Sequence, residues 1–215
     1  VIFPMVEPTL PVDGISIFLL AGILVKEVII GVLLGFFFSI PFRVAEGLGF
    51  LIDNQRGTGM AAVFDPMAGG QVTPLAVLML RVIIVLFVCT GGLFLFFKAL
   101  FVSYEVYPVN ALMPEFAVVM PSAILSLSDK IMLSIFGLGA PILIAIFVSE
   151  FGLGLVNRFA PALNVFFLAM PIKSAIAILM MVLYLPYLFD SFLEEFVYDD
   201  QKMLNFLGEL FKSTP

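Results

Sequence analysis

An all-α protein of a membrane complex is what this sequence predicts, on three observations. Hydrophobic residues make up 62% of the 215-residue chain and charged ones 12%, with a mean hydropathy of +1.20; an ordinary soluble domain carries about 25% charge. The apolar residues gather into uncharged runs, the raw material of spanning helices. Into that background Glu150, Asn157, Arg158, Asn164 and Lys173 are set one at a time. An ionisable group in hydrocarbon costs about 2.5–3.5 kcal/mol on insertion scales, so each is expected to face protein, a partner or a wet cavity, together forming a buried polar seam. Strand content is expected to be close to nil.

The elements follow from where the uncharged runs fall: 28–42, 66–80, 82–97, 131–149, 159–172 and 174–189, of which only 131–149 reaches 19 residues. A 16-residue helix rises about 24 Å against a hydrocarbon core of roughly 30 Å, and most of these runs contain Gly or Pro, so simple spans are poorly defined. The chain reads as helical hairpins with Pro- and Gly-broken helices at 14 to about 52, 74–104, 129–158 and 161–189. In the first, Lys26 and Glu27 precede Gly31 and Gly35, a face suited to a tight helix crossing. In the last, Pro161 and Pro171 flank a stretch too short to cross a bilayer, and a broken or re-entrant helix is expected there. After Asp190 an amphipathic tail helix places Phe192, Phe196, Met203, Leu207 and Phe211 on one face and Glu194, Glu195, Asp199 and Asp200 outward. An acidic face favours docking on protein over anionic lipid.

Two domains are expected, 1–128 and 129–215, the second carrying the tail. The chain starts at Val1 with neither an initiator Met nor the features of a signal peptide, so its natural amino-terminal segment is expected to be missing. Lys and Arg occur singly along the chain, and the positive-inside rule assigns no orientation.

Several chemistries are set aside by composition. There is no His and no Trp, and the one Cys, Cys89, lies in an apolar run; imidazole chemistry, disulfide frameworks and the usual zinc ligand sets have no support, and no metal or cofactor is expected. The net charge of −6 argues against a nucleic-acid partner. No nucleophile with a base, phosphate-cradling loop or paired carboxylates appears, so the chain is not read as an enzyme.

Two connections, 57–73 and 106–121, combine Gly or Pro with high apolar content. Such a loop needs its backbone groups satisfied by protein or by cavity water, never lipid, which makes each a candidate gate. An internal echo relates AEGLGFLIDNQRG from Ala45 to SEFGLGLVNRFAP from Ser149: Glu46 precedes Asp53, and Glu150 precedes Asn157, by seven residues, with glycines between and Arg behind. Seven residues is nearly two helical turns, so each pair shares a face. Glu150, Gly154, Asn157 and Arg158 lie on adjoining strips of one helix, where a partner helix could approach over Gly152 and Gly154 and answer the charges. An ion or proton relay and ordinary loop positions are the competing readings.

The stretches KEVIIGVLLGFFFSIPFRVAEGLGFLIDNQRG from Lys26 and GLGLVNRFAPALNVFFLAMPIKS from Gly152 strongly resemble the FliR/SpaR/YscT family of type III secretion export-apparatus proteins, and the match runs in order over nearly the whole chain. Two elements carry it together: Ile52, Asp53, Gln55 and Gly57; and Asn157, Arg158, Ala160, Pro161, Leu163 and Asn164. The wording from Asn164 to Ser174 is more similar to the virulence-injectisome branch than to the flagellar branch.

The resemblance implies a single-copy export-gate subunit in the bacterial inner membrane, raised toward the periplasmic side at the core of the secretion complex. Its halves would mimic fused copies of the two smaller export-gate membrane proteins, with which it would line a narrow protein-conducting pore. Further implied partners are the autocleaving export switch protein, the large export-gate ring protein, inner-rod or needle subunits and unfolded secreted substrates. The family's hydrophobic plug loop falls by position at 57–66, comprising Gly57, Met60, Val63, Phe64, Asp65 and Pro66 here, with Met60, Val63 and Phe64 projecting into the pore. Met and Phe pack adaptably, so they exclude ions yet part for an unfolded chain. Glu46, Asp53, Gln55, Glu150, Asn157, Arg158, Pro161, Asn164, Pro171 and Lys173 form the expected subunit-assembly seam. The rivals are a flagellar homologue, a secondary transporter or ion channel using the same intramembrane charges, and a scaffold with no pore contact.

Overall fold

A computed structural model describes residues 17–58, 73–106, 108–109, 119–160 and 165–196. Among them every regular element is a helix: α1 Ile17–Arg56, α2 Pro74–Cys89, α3 Gly92–Val106, α4 Val119–Phe159 and α5 Val165–Phe196. The all-α prediction is met, while the segments read as hairpins differ in detail. The first is one 40-residue helix, and α4 begins well before Asp129. Only 74–104 turns within itself, where α2 and α3 meet at 68°. Gly91, at φ 89°, supplies the left-handed residue of that turn.

Two expectations are corrected. Spans are well defined: Ile17–Arg56, Ile124–Phe159 and Phe167–Glu194 are each long and apolar enough to cross a membrane, and the bent α2–α3 pair is a fourth candidate. Reading the sequence in uncharged runs cut each helix at its isolated charges, whereas the helices pass through them. Nor does the helix break at Pro171, because α5 continues through both Pro171 and Pro186, as α1 does through Pro41 and α4 through Pro141. A helix-interior proline costs about 3 kcal/mol. In an apolar setting abandoning the whole hydrogen-bonded ladder costs more than losing one bond from it.

The helices group into two compact units, each drawing on several stretches of chain: 1–40, 87–129 and 194–215 in the first, 41–86 and 130–193 in the second.

In the first unit Ile30, Leu34 and Phe38 recur every four residues along α1 and pack with Leu95 and Ala99 of α3. The Phe38 ring stands edge-on to Phe96 at 5.0 Å and to Phe87 at 6.5 Å, geometry worth about 0.5–1.5 kcal/mol per pair beyond burial. Lys26, on the same helix, is wholly buried. Its ammonium donates to the Pro108 and Val109 carbonyls at 2.9 and 3.2 Å and pairs with Glu27 at 3.1 Å. Two carbonyls take two of its three protons where the chain leaves α3, and the Glu27 carboxylate balances the charge as an ion pair, its buried Oε1 making no hydrogen bond. Gly31 and Gly35 meet no atom within 4 Å of an added Cβ, so the tight crossing expected there is not made among the described residues.

In the second unit Val44, Leu48 and Ile52 continue the buried stripe of α1, with Ile142 and Ile146 of α4 also fully enclosed. Small residues allow the approach of α1 and α4: a Cβ on Gly47 would fall 2.5 Å from Ile135, and one on Gly139 3.0 Å from Leu48.

Candidate functional site

The most elaborate polar arrangement lies at the end of α1. Gly49 brings its backbone against the first turn of α2 so closely that a Cβ there would stand 2.5 Å from the Ala76 nitrogen and Cα. One turn further along, Asp53 is wholly buried and points its carboxylate at the same helix start. Its Oδ2 accepts from the backbone N–H of Leu75 at 2.9 Å and of Ala76 at 3.3 Å. Its Oδ1 takes Arg56 Nε at 2.9 Å and Nη2 at 2.6 Å.

A helix begins with four N–H groups that have no intrahelical acceptor. In α2 the first position is Pro74, which has no N–H. The next two bond to Asp53, and Val77 donates to the Thr73 carbonyl at 3.2 Å. Asp53 thus does from across the fold what a side chain at the N-cap ordinarily does in place. The positive end of the α2 dipole and Arg56 together answer the buried charge.

The same residue also holds the end of α1. Gly57 adopts φ 95°, and its N–H donates to the Asn54 carbonyl at 3.1 Å while Thr58 N–H donates to the Asp53 carbonyl at 3.1 Å. This paired pattern is a Schellman stop, which needs the left-handed residue that Gly supplies. The Thr58 hydroxyl adds a second bond to the Asp53 carbonyl at 2.7 Å. Chain entering and chain leaving the 59–72 segment are therefore both fastened to one residue. Of the expected plug residues, Gly57 is this helix stop, while Met60, Val63, Phe64, Asp65 and Pro66 lie outside the described residues.

The expected seam residues are dispersed. Glu46 pairs with Arg43 at 3.6 Å on an exposed face of α1, and Gln55 is half-buried. Lys173 of α5 reaches Glu150 of α4 at 2.7 Å, a pair with the lysine enclosed and the carboxylate half-exposed. Asn157 and Arg158 are exposed on this chain, and Gly152 and Gly154 have no atom within 4 Å of an added Cβ. Pro171 is exposed inside α5, and Pro161 and Asn164 lie outside the described residues.

Lys26, read from the sequence only as preceding the small-residue face of Gly31 and Gly35, is a buried polar centre in the fold. The available signal was its position inside a long apolar helix, where a charge requires several acceptors. Among the described residues no group of three or more His, Cys, Asp or Glu could hold a metal ion.

Comparison with known proteins gives a consistent result. The family model described as Bacterial export proteins, family 1, matches residues 1–197. The chain is 42% identical over 185 residues to Yop proteins translocation protein T of Yersinia pestis, covering 85% of this chain and 70% of that protein. It is 33% identical over 163 residues to surface presentation of antigens protein SpaR of Salmonella typhimurium, covering 75% and 60%. The flagellar biosynthetic protein FliR of Pectobacterium carotovorum is 29% identical over 187 residues, covering 85% and 70%.

Proposed function

The chain belongs to the bacterial export proteins, family 1, and from that premise we propose that it is the single-copy subunit of a type III secretion export gate, of the injectisome branch, in the bacterial inner membrane. It joins the two smaller export-gate membrane proteins around a pore for unfolded effector and needle substrates. The export switch protein, the large export-gate ring and the inner-rod or needle subunits are its further neighbours. Its place within the assembly is raised toward the periplasmic side.

The observation that carries this reading is the anchoring of residues 59–72. Two helices, each in a candidate span, are fastened to each other through Asp53 at the point where that segment leaves and returns. A seal that yields to a passing chain needs a fixed base and adaptable apolar side chains, and Met60, Val63 and Phe64 lie in the segment. The export-apparatus relatives support the same role, and the 42% identity to a Yop translocation protein favours the injectisome branch.

A transporter or channel that works through intramembrane charges needs them free to meet a solute. Of the two fully buried charges among the described residues, Asp53 is occupied by the α2 amides and Arg56, and Lys26 is held by two backbone carbonyls and paired with Glu27. The gate reading is tested by changing Met60 and Val63 together to Gly in the co-expressed complex. Assembly is expected to be normal and the membrane to become permeable to small ions and dyes; unchanged permeability removes the plug assignment. Crosslinks from position 60 to a stalled substrate separate a gate from a scaffold.

A further inference from the structure

We infer that Asp53 is a positioning residue for the 59–72 segment, a single buried carboxylate that keeps the two ends of the segment together. The functional half of this inference rests on the plug reading above; the structural half does not.

A carboxylate in the last turns of α1 is badly placed for its own helix, whose carboxyl end carries the negative pole of the dipole. Burial adds a desolvation cost. Both are offset only because α2 presents its amino end there, with Pro74 removing one unpaired donor and Leu75 and Ala76 aiming theirs at Oδ2. Gly49 is the condition for the approach, since a side chain there would collide with the Ala76 backbone. Arg56 closes the other oxygen and is itself only 10% exposed. On the opposite side of the same residue, the backbone carbonyl receives both the N–H and the hydroxyl of Thr58.

The bonds are not interchangeable. An Asn at this position keeps its one oxygen for the α2 amides but turns an uncharged NH2 donor toward Arg56, and an Ala leaves two N–H groups and a guanidinium unanswered. Because Gly49 and the buried α1 stripe persist, helix packing has support that does not depend on the carboxylate. Loss of Asp53 is therefore expected to loosen the start of α2 and the return of the 59–72 segment before it unfolds the unit.

The test uses the intact co-expressed complex carrying Asp53→Asn, Asp53→Ala or the conservative Asp53→Glu, with hydrogen exchange at Leu75 and Ala76, complex yield and membrane dye leak read together. For Asn and Ala we expect exchange at those two amides to rise on the order of tenfold or more, yield to stay normal and leak to rise; Glu is expected to restore part of both. Unchanged exchange overturns the latch. Exchange and leak that rise only in step with a fall in yield reduce Asp53 to a stability role and overturn the positioning role. If exchange rises without leak while Met60→Gly with Val63→Gly does leak, positioning is overturned and the plug stands. If neither leaks, the plug reading fails, and raised exchange still supports the latch.

Discussion

Residues 45–57 and residues 149–161 read alike as sequence, each an acid followed by two glycines and, seven residues after the acid, Asp or Asn with Arg behind. In the fold they have opposite surroundings. Gly47 and Gly49 are pressed against Ile135 and the Ala76 backbone, and Asp53 is sealed among the donors of α2. Gly152 and Gly154 face open space, and Asn157 and Arg158 are exposed. The pattern of small residues beside a polar one announces a close approach that must be answered by hydrogen bonds. It does not announce whether the answer comes from the same chain. For the first copy the chain supplies its own helix start; for the second, the proposed assembly would supply a neighbouring subunit.

The largest effect this contrast predicts for the isolated chain comes from adding one methyl group to each copy. At Gly49 a Cβ sits 2.5 Å from the α2 backbone, which cannot swing aside as a side-chain tip could. The helices must separate and the Asp53 bonds lengthen, at a cost of about 3 kcal/mol. Gly154→Ala meets nothing within 4 Å and should raise the helix stability of the isolated chain by up to about 1 kcal/mol. Thermal unfolding of each variant in detergent, with and without the co-expressed partners, reads both. If Gly154→Ala is harmless alone but lowers recovery of the complex, the open face is an interface; if it is harmless in both settings, the comparison loses its second half.

Charge reversal sharpens the contrast at the polar position. Arg158→Glu leaves every described contact of this chain intact, so insertion and the fold of the monomer should be unaffected. Losing one partner of a pair buried in an assembly costs about 3–5 kcal/mol, enough to abolish co-purification of the neighbouring subunits. Full recovery of the complex would place Arg158 at a solvated helix end, where it complements the dipole of α4.

The difference between the copies also marks how far sequence reading reaches. That the fold is helical could be read from composition, and the family resemblance grouped Asp53, Gln55 and Gly57 into one element. That Asp53 would cap α2 could not be read, because the donors at Leu75 and Ala76 lie beyond the 59–72 segment and no local pattern states that the two come together. Nor could the acceptors of Lys26 be read, because the carbonyls of Pro108 and Val109 lie far along the chain from it. Prolines 41, 141, 171 and 186 look like breaks in one dimension and are carried within long helices in three. Gly31 and Gly35 carry the small-residue spacing of a helix crossing and Gly47 and Gly49 do not, yet of the two pairs it is the latter that has close neighbours. Spacing fixes which residues share a face, whereas tertiary contact decides which face is used.

The smallest expected effect belongs to the contact between two expected seam residues, Lys173 and Glu150. Lys173 and Glu150 meet at 2.7 Å, with the lysine side chain 13% exposed and the carboxylate 50% exposed. A pair so open to its surroundings contributes roughly 0–1 kcal/mol, because screening and the entropy of holding two long side chains offset most of the attraction. A double-mutant cycle with Glu150→Gln and Lys173→Met, read as thermal stability of the detergent-solubilised chain, should return a coupling energy in that range. Repeated in the assembled complex, the cycle asks whether the second copy becomes enclosed as the first already is. A coupling that rises several-fold on assembly means that a neighbouring subunit desolvates the pair, since exclusion of water strengthens the attraction between charges already in contact. A coupling that stays the same means that this end of α4 keeps its solvent on assembly, and the contrast with Asp53 is then permanent rather than a matter of a missing partner.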